Sequence, residues 1–265
     1  MNEETAKNST INHKFSGWSL WLEPCSHETR EIRNEMKKLT QLCGGVKSSP
    51  AFQLHCTLLY NFDPPKHLIG AARTEKEEYG NRMLTKCWQI YNERTKGSDC
   101  ESSNIVLNPT SYYYFPYPKE ADGGKGFGCV ISLMILEKTQ ELQYLHQAAL
   151  KTFPPDERHC NKNVETKVVS PGQEEVAIKD TNHVETNEKD VSNGKRDETE
   201  AGKFIPHMAL IYAPEIYGET LNVKTEELKN EKSHLLRPLK GKCLSLWSTE
   251  GEIKDWYVIA RLTLS

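Results

Sequence analysis

Two short segments of the chain carry the same histidine-centred pattern. The segment "FQLHCTLLY" at 52–60 returns as "FIPHMALIY" at 204–212, which places His55 and His207 at matching positions. Both segments are rich in apolar and aromatic residues, and each predicts a β-strand. Two imidazoles that share one ligand can form an acid–base pair, since the neutral ring accepts a proton and the protonated ring donates one. The usual histidine pKa of about 6.5 suits both tasks near neutral pH.

The residue two places after each histidine adds to this chemistry. Side chains alternate along a strand, so Thr57 shares a face with His55, and Ala209 shares a face with His207. A hydroxyl in this position can donate to a non-bridging phosphate oxygen, where charge increases in the transition state. The pattern therefore predicts phosphodiester chemistry without a metal.

A single His-x-Thr pattern carries little information, because a lone histidine on a strand is usually a structural residue. The repetition in matching nine-residue frames favours the functional interpretation. Zinc is the rival use of paired histidines, but no His-x-x-x-His or Cys-x-x-Cys spacing accompanies the two segments. Neither a metal nor another cofactor is expected.

The remaining segments predict alternating strands and helices that must position the histidines. Strands are predicted at 17–24, 52–62, 105–118, 127–137, 204–214, 238–249 and 255–265, and helices at 27–45, 67–95, 138–152 and 219–233. The second helix is expected to be interrupted near Gly80. The stretch "GGKGFG" at 123–128 predicts a hairpin turn rather than a phosphate-binding loop, because it does not open a helix.

Each half of the chain thus contains a histidine strand, a helix and a hairpin, in the same order. This order predicts an internal duplication. The expected fold is α+β with two pseudo-symmetric lobes, each an antiparallel-rich sheet covered by helices, and the two sheets face a central cleft. A pseudo-twofold axis between the halves would bring both histidines into that cleft.

Composition sets the domain boundaries. The chain has 265 residues, 37% hydrophobic and 27% charged, and a net charge of −3, which suits one globular domain without a general attraction for nucleic acid. Residues 156–203 hold 12 acidic and 8 basic residues and no Leu, Phe, Tyr, Trp or Met, so a disordered insertion is expected there. A flexible segment is expected at 1–15, and a bilobal domain at 16–265.

The same features suggest where the protein acts. The first fifteen residues are polar, and no apolar run approaches eighteen residues, so neither a signal peptide nor a membrane span is expected. A cytoplasmic monomer is the expectation, and its eight cysteines are expected to be free thiols. The charged insertion has the alternative role of a partner-binding segment.

The two histidine segments, with "SLWLEP", "CVISLMILE" and the closing "LSLWSTEGEIKDWYVIARLTL", make the chain resemble the 2H phosphoesterase superfamily. Within it, the chain is most similar to the plant and yeast type of cyclic nucleotide phosphodiesterase. The resemblance covers the chain apart from its N-terminal segment and the insertion. It implies metal-independent hydrolysis of nucleoside 2',3'-cyclic phosphates or ADP-ribose 1'',2''-cyclic phosphate to a phosphomonoester.

The resemblance also implies roles for individual residues. His55 and His207 correspond to the catalytic pair, with His207 as the base and His55 as the acid, although the residues themselves leave that assignment open. Thr57 corresponds to a phosphate-binding hydroxyl, and Trp21 and Tyr212 to an aromatic ring and a phenol that line the ligand site. Strand alternation puts Tyr212 on the face opposite His207 unless the strand bulges, and Trp21 has the alternative of a core residue.

One position departs from the family pattern. Ala209 stands where the second motif normally has Ser or Thr, so one phosphate donor is missing. Ser19 or a water molecule could replace it, or the enzyme could be slow. The alternative function is a protein of the same fold that binds a cyclic phosphate, or RNA ends, without turnover.

Overall fold

The structure of the protein is a computed structural model that describes residues 17–44, 53–96, 105–117, 129–153, 204–251 and 255–264. Three predictions lie outside these residues: the flexible segment at 1–15, the insertion at 156–203 and the turn at 123–128. They stay predictions.

The described strands form one antiparallel sheet of eight strands, and four α-helices accompany it. The sheet order is β3-β7-β1-β2-β6-β5-β4, and β8 also pairs with β7. The strands are β1 (Trp18–Pro24), β2 (Cys56–Phe62), β3 (Val106–Leu107), β4 (Pro109–Tyr117), β5 (Cys129–Leu136), β6 (His207–Pro214), β7 (Leu239–Ser248) and β8 (Tyr257–Thr263). The α+β class and the antiparallel pairing are confirmed.

The helices are α1 (Arg30–Leu42), α2 (Arg73–Thr95), α3 (Gln140–Thr152) and α4 (Gly218–Glu231), with 3-10 turns at Lys66–Leu68, Glu215–Tyr217 and Ser233–Leu235. In α1 the apolar residues Ile32, Met36 and Leu39 recur at helical spacing and are buried. Helix α3 begins after Thr139, whose hydroxyl accepts a hydrogen bond from the backbone N–H of Leu142. The sequence thus predicts the ends of α1, α3 and α4 to within three residues. The helix predicted at 67–95 begins six residues later, at Arg73.

The two hairpins are exchanged between the halves. The β4–β5 hairpin of the first half pairs through β5 with the second histidine strand, β6. The β7–β8 hairpin of the second half reaches the first histidine strand, β2, through β1. The expectation that the strands of each half form a sheet of their own is therefore wrong. The described strands form one continuous sheet, in which each hairpin lies on the side of the other half's histidine strand. The chain passes from one side of the strand order to the other at Asn108, since β3 pairs with β7, and β4, which begins at Pro109, pairs with β5.

The sheet has two distinct faces. The core face carries the helices and a single apolar cluster that includes Leu20, Cys56, Met208 and Leu244. We call the opposite surface the histidine face. Its residues Trp21, Cys129, Leu133 and Ala209 are buried as well but lie outside that cluster.

Helix α2 runs without a break through Gly80, so the predicted interruption is wrong. The glycine serves close packing instead, because a Cβ added there would lie 2.7 Å from the Cβ of Ala260 on β8. Contacts this short do not occur between real Cβ atoms, so a side chain at this position would force the helix away from the strand.

We expect the substitution Gly80→Ala to destabilise the protein. Alanine favours a helix over glycine by about 1 kcal/mol, but overpacking of this kind costs about 1–3 kcal/mol. The net result should be a loss of up to about 2 kcal/mol in the free energy of unfolding, measured by urea denaturation. Asn81→Ala, at the exposed neighbouring position, is the control and should stay near the wild-type value. A more stable Gly80→Ala protein would contradict this packing.

Two further expectations concern the chain as a whole. The six cysteines within the described residues are free thiols, as expected. None of the helices in the described part of the chain is both long enough and apolar enough to cross a membrane.

Candidate active site

The two histidine strands meet at one pair of residues. Cys56 of β2 pairs with Met208 of β6, and each of these residues directly follows its histidine. An antiparallel pair between equivalent residues of a repeat defines a local twofold axis through that pair. This axis relates His55 to His207.

The same pair decides which side chains share a face. Cys56 and Met208 are fully buried on the core face. The flanking residues of both motifs therefore point to the histidine face, as the alternation of the sequence predicts. Continuing the register places Thr57 across from His207 and Ala209 across from His55.

Both imidazole rings are oriented by equivalent hydrogen bonds. Nδ1 of His55 lies 2.7 Å from the carbonyl oxygen of Gln53, and Nδ1 of His207 lies 3.0 Å from that of Ile205. In each case the carbonyl belongs to the residue two places earlier. A carbonyl can only accept, so Nδ1 carries the proton and Nε2 is the proton acceptor of each neutral ring. Both rings are thus held in the tautomer that a general base requires.

The environment disfavours the charged form of both rings. Burial lowers the pKa of His55 to about 3, the bond to Gln53 opposes this shift, and the nearby His207 adds to it. Burial also lowers the pKa of His207, and its bond to Ile205 opposes the shift. Two cations in one buried space repel each other, so the unliganded site holds two neutral rings at neutral pH. A bound anion would favour protonation of one of them.

We expect stability to fall as the pH drops below about 6.5, the usual histidine pKa. The unfolded chain takes up protons at His55 and His146 before the folded protein does, since the folded pKa values are about 3 and about 4. The buried His55 alone should cost on the order of 3 kcal/mol at pH 4. Urea denaturation at pH 7 and pH 4.5 measures the loss. His55→Gln should lose less over the same interval, and an equal loss would contradict the assignment.

Trp21 stacks on the first histidine. Its ring lies 3.5 Å from that of His55 with an interplanar angle of 8°. On β7, the ring of Trp247 lies 4.4 Å from Trp21 at 26°, and the guanidinium of Arg261 stands 5.7 Å from the centre of Trp247. Trp21 is only 2% exposed. Trp21 therefore fixes the ring plane of His55 and offers little surface of its own to a ligand. This position is intermediate between a ring that lines the ligand site and a core residue.

A polar cluster centred on the buried Glu23 supports this row of rings. A carboxylate oxygen of Glu23 accepts hydrogen bonds from the Ser245 hydroxyl at 2.6 Å and from Arg261 at 3.4 Å. The indole N–H of Trp247 donates to the same hydroxyl at 3.0 Å. These residues were not among the predicted site residues. The signal that could have found Trp247 is the tripeptide Ser-Leu-Trp, which occurs at 19–21 and again at 245–247.

Thr57 lies on the histidine face, where it pairs with Trp21 across β1 and β2. Ala209 is 3% exposed, so its methyl group fills a closed position beside His55. Ser19 does not reach that position. It lies at the other end of β1, and its hydroxyl is 3.2 Å from that of Thr249. The site therefore has a motif hydroxyl on one side of the twofold axis and a methyl group on the other.

Tyr212 lies on the histidine face because β6 bulges. Leu133 of β5 pairs with Ala209, but the next residue, Ser132, pairs with Ile211, so Leu210 is the extra residue of the bulge. The alternation is reset there, and Tyr212 pairs with Ile131 on the same face as His207. Simple alternation predicts the wrong face. Burial raises the pKa of the Tyr212 phenol above its usual value, so the group stays protonated and can donate.

Within the described ranges, no three His, Cys, Asp or Glu side chains come together in a group that could hold a metal ion. No protein-family model matches the chain, and no curated protein sequence matches it either.

Proposed function

We propose that the chain is a metal-independent cyclic phosphodiesterase with the two-lobed arrangement of the 2H phosphoesterases. One observation carries the proposal. Equivalent residues of two histidine motifs pair on a local twofold axis, so His55 and His207 flank it on one face, each with Nδ1 bound to the carbonyl two residues earlier. Such a pair of rings suits in-line displacement at one phosphorus, in which a proton is taken on one side and given on the other.

The reaction follows from this arrangement. The negative charge of a bound cyclic phosphodiester favours protonation of one imidazole, and the other stays neutral. The neutral ring takes a proton from water, and the hydroxide attacks phosphorus opposite the departing ribose oxygen. The P–O bond to that oxygen breaks, and the protonated ring supplies its proton. The product is a phosphomonoester. We assign His207 as the base and His55 as the acid by resemblance to the family.

The other groups on the face stabilise the transition state. The Thr57 hydroxyl, across from His207, donates to a non-bridging oxygen as charge increases there. The Tyr212 phenol donates from the other side. In this proposal, Trp21 positions the ring of His55 through the stack described above.

Incubation of the full chain with adenosine 2',3'-cyclic phosphate tests the proposal. Phosphorus NMR distinguishes the cyclic diester from the monoester product. We expect conversion at the same rate with and without EDTA, because no step uses a metal. Absence of product after hours at micromolar protein would refute the enzyme. Loss of activity in EDTA would refute the metal-independent mechanism.

The second candidate is a protein that binds cyclic phosphates, or RNA ends, without turnover. Ala209 favours it, because the site lacks one of the two motif hydroxyls. Titration calorimetry with the same ligand separates the candidates. Measurable affinity without product supports the binder, and product formation excludes it.

A further inference from the structure

The first histidine motif carries a second tyrosine that matches Tyr212. Tyr60 stands five residues after His55, as Tyr212 stands five residues after His207. The bulge that sets the face of Tyr212 is repeated as well. Thr57 pairs with Trp21, but the next residue of β1, Leu20, pairs with Leu59, so Leu58 is the extra residue. Leu58 is the equivalent of Leu210.

Alternation after this bulge directs Tyr60 to the histidine face, and a second register shift follows at Asn61, whose φ is +54°. Leu58 lies in the main apolar cluster, and Leu59 and Phe62 pack against it, so all three face the core. Tyr60 between them points the other way and is 69% exposed. Tyr212, by contrast, is half-buried. The twofold-related positions therefore offer one half-buried tyrosine and one open aromatic ring.

We propose that Tyr60 is the surface on which the nucleobase of the ligand stacks. The inference rests on the proposed function, and it names the substrate class as nucleoside cyclic phosphates rather than small base-free ones. Tyr60 stands three residues beyond Thr57, about 10 Å along the strand. A tyrosine ring at that distance can meet a base whose phosphate lies between the two imidazoles.

The asymmetry between the two tyrosines orients the ligand. The phosphate lies on the local axis, so the nucleoside can extend toward either tyrosine. The half-buried Tyr212 leaves less open ring surface for a planar base than the exposed Tyr60 does. The base therefore lies on the Tyr60 side, at the end of the site nearer His207. Stacking on an aromatic ring tolerates any base, so we expect little preference among the four.

Binding of reaction products tests the stacking without depending on turnover. Calorimetry compares adenosine 2'-monophosphate, one of the two monoesters that opening of the cyclic phosphate can give, with the base-free methyl riboside 2-phosphate. We expect Tyr60→Ala to weaken binding of the nucleotide about tenfold, which is typical for loss of one stacked base, and to leave the base-free ligand unchanged. Tyr60→Phe keeps the ring and should bind both ligands as the wild type does. Val223→Ala, at a 51% exposed residue of α4 on the core side of the sheet, is the control and should bind both ligands as the wild type does.

The outcomes separate this inference from the proposed function. Equal loss for both ligands in Tyr60→Ala, or no loss for either, overturns the stacking role. A wild type that binds both ligands with equal affinity overturns it too. Failure of the wild type to hydrolyse the cyclic phosphate refutes the enzyme instead, and the calorimetric comparison still decides whether Tyr60 contacts the base.

Discussion

Hydrolysis of adenosine 2',3'-cyclic phosphate should nearly disappear when either histidine is replaced. Loss of a general acid or base typically lowers a rate by about 10²–10⁴, and we expect a loss in that range for His207→Ala and for His55→Gln. Glutamine is used at position 55 because the ring is 3% exposed and stacks on Trp21, so alanine would leave a cavity. Initial rates by phosphorus NMR measure the effect.

The double substitution sharpens this prediction. If the rings act as one acid–base unit, His55→Gln combined with His207→Ala should cost little more than either change alone. His234→Ala, at an exposed histidine away from the histidine face, is the control and should keep wild-type rates. Circular dichroism and melting curves show whether each variant is folded. Full activity in a folded His207→Ala protein would remove the basis of the proposed mechanism.

The sequence predicts the elements of this fold well because each signal is local. Helical spacing identifies Ile32, Met36, Leu39 and Leu42 as the apolar stripe of α1. The structure buries the first three, but Leu42, the last residue of the helix, is 48% exposed. Gly80 shows the limit of local reasoning. A glycine in a helix weakens it, yet α2 continues because the missing Cβ lets the helix approach Ala260. That reason lies in a strand almost two hundred residues away, and the local sequence does not contain it.

The candidate site divides in the same way. Strand alternation correctly places His55, His207 and Thr57 on one face, because it needs only the pleat of a strand. It fails for Tyr212, since an extra residue in one strand has no mark in the apolar pattern and appears only in the pairing with β5. The stack of Trp247 on Trp21 depends on the strand order, which the exchanged hairpins determine. The face of Tyr212 and the position of Trp247 therefore depend on pairing between distant strands, which the local sequence pattern does not contain.

Restoring the missing hydroxyl should raise activity. Ala209 is the twofold equivalent of Thr57 and lies across from His55, so a hydroxyl there would meet a second non-bridging oxygen. Removal of one such donor typically costs about 10²–10³ in rate, and we expect Ala209→Ser to gain about 10² in kcat/KM by the same interaction. If the wild type only binds the ligand, the variant should acquire turnover.

Stability should move in the opposite direction from activity. Ala209 is 3% exposed, so in the empty protein the new hydroxyl is removed from water, and an unsatisfied group of this kind costs about 1–3 kcal/mol. Ala209→Ser should therefore melt at a lower temperature and hydrolyse faster, and ligand should recover part of the loss. Ala209→Cys is the matched control, since its thiol is a weak donor of similar shape. A gain in both variants would point to packing, and a gain in neither would place the phosphate away from this strand.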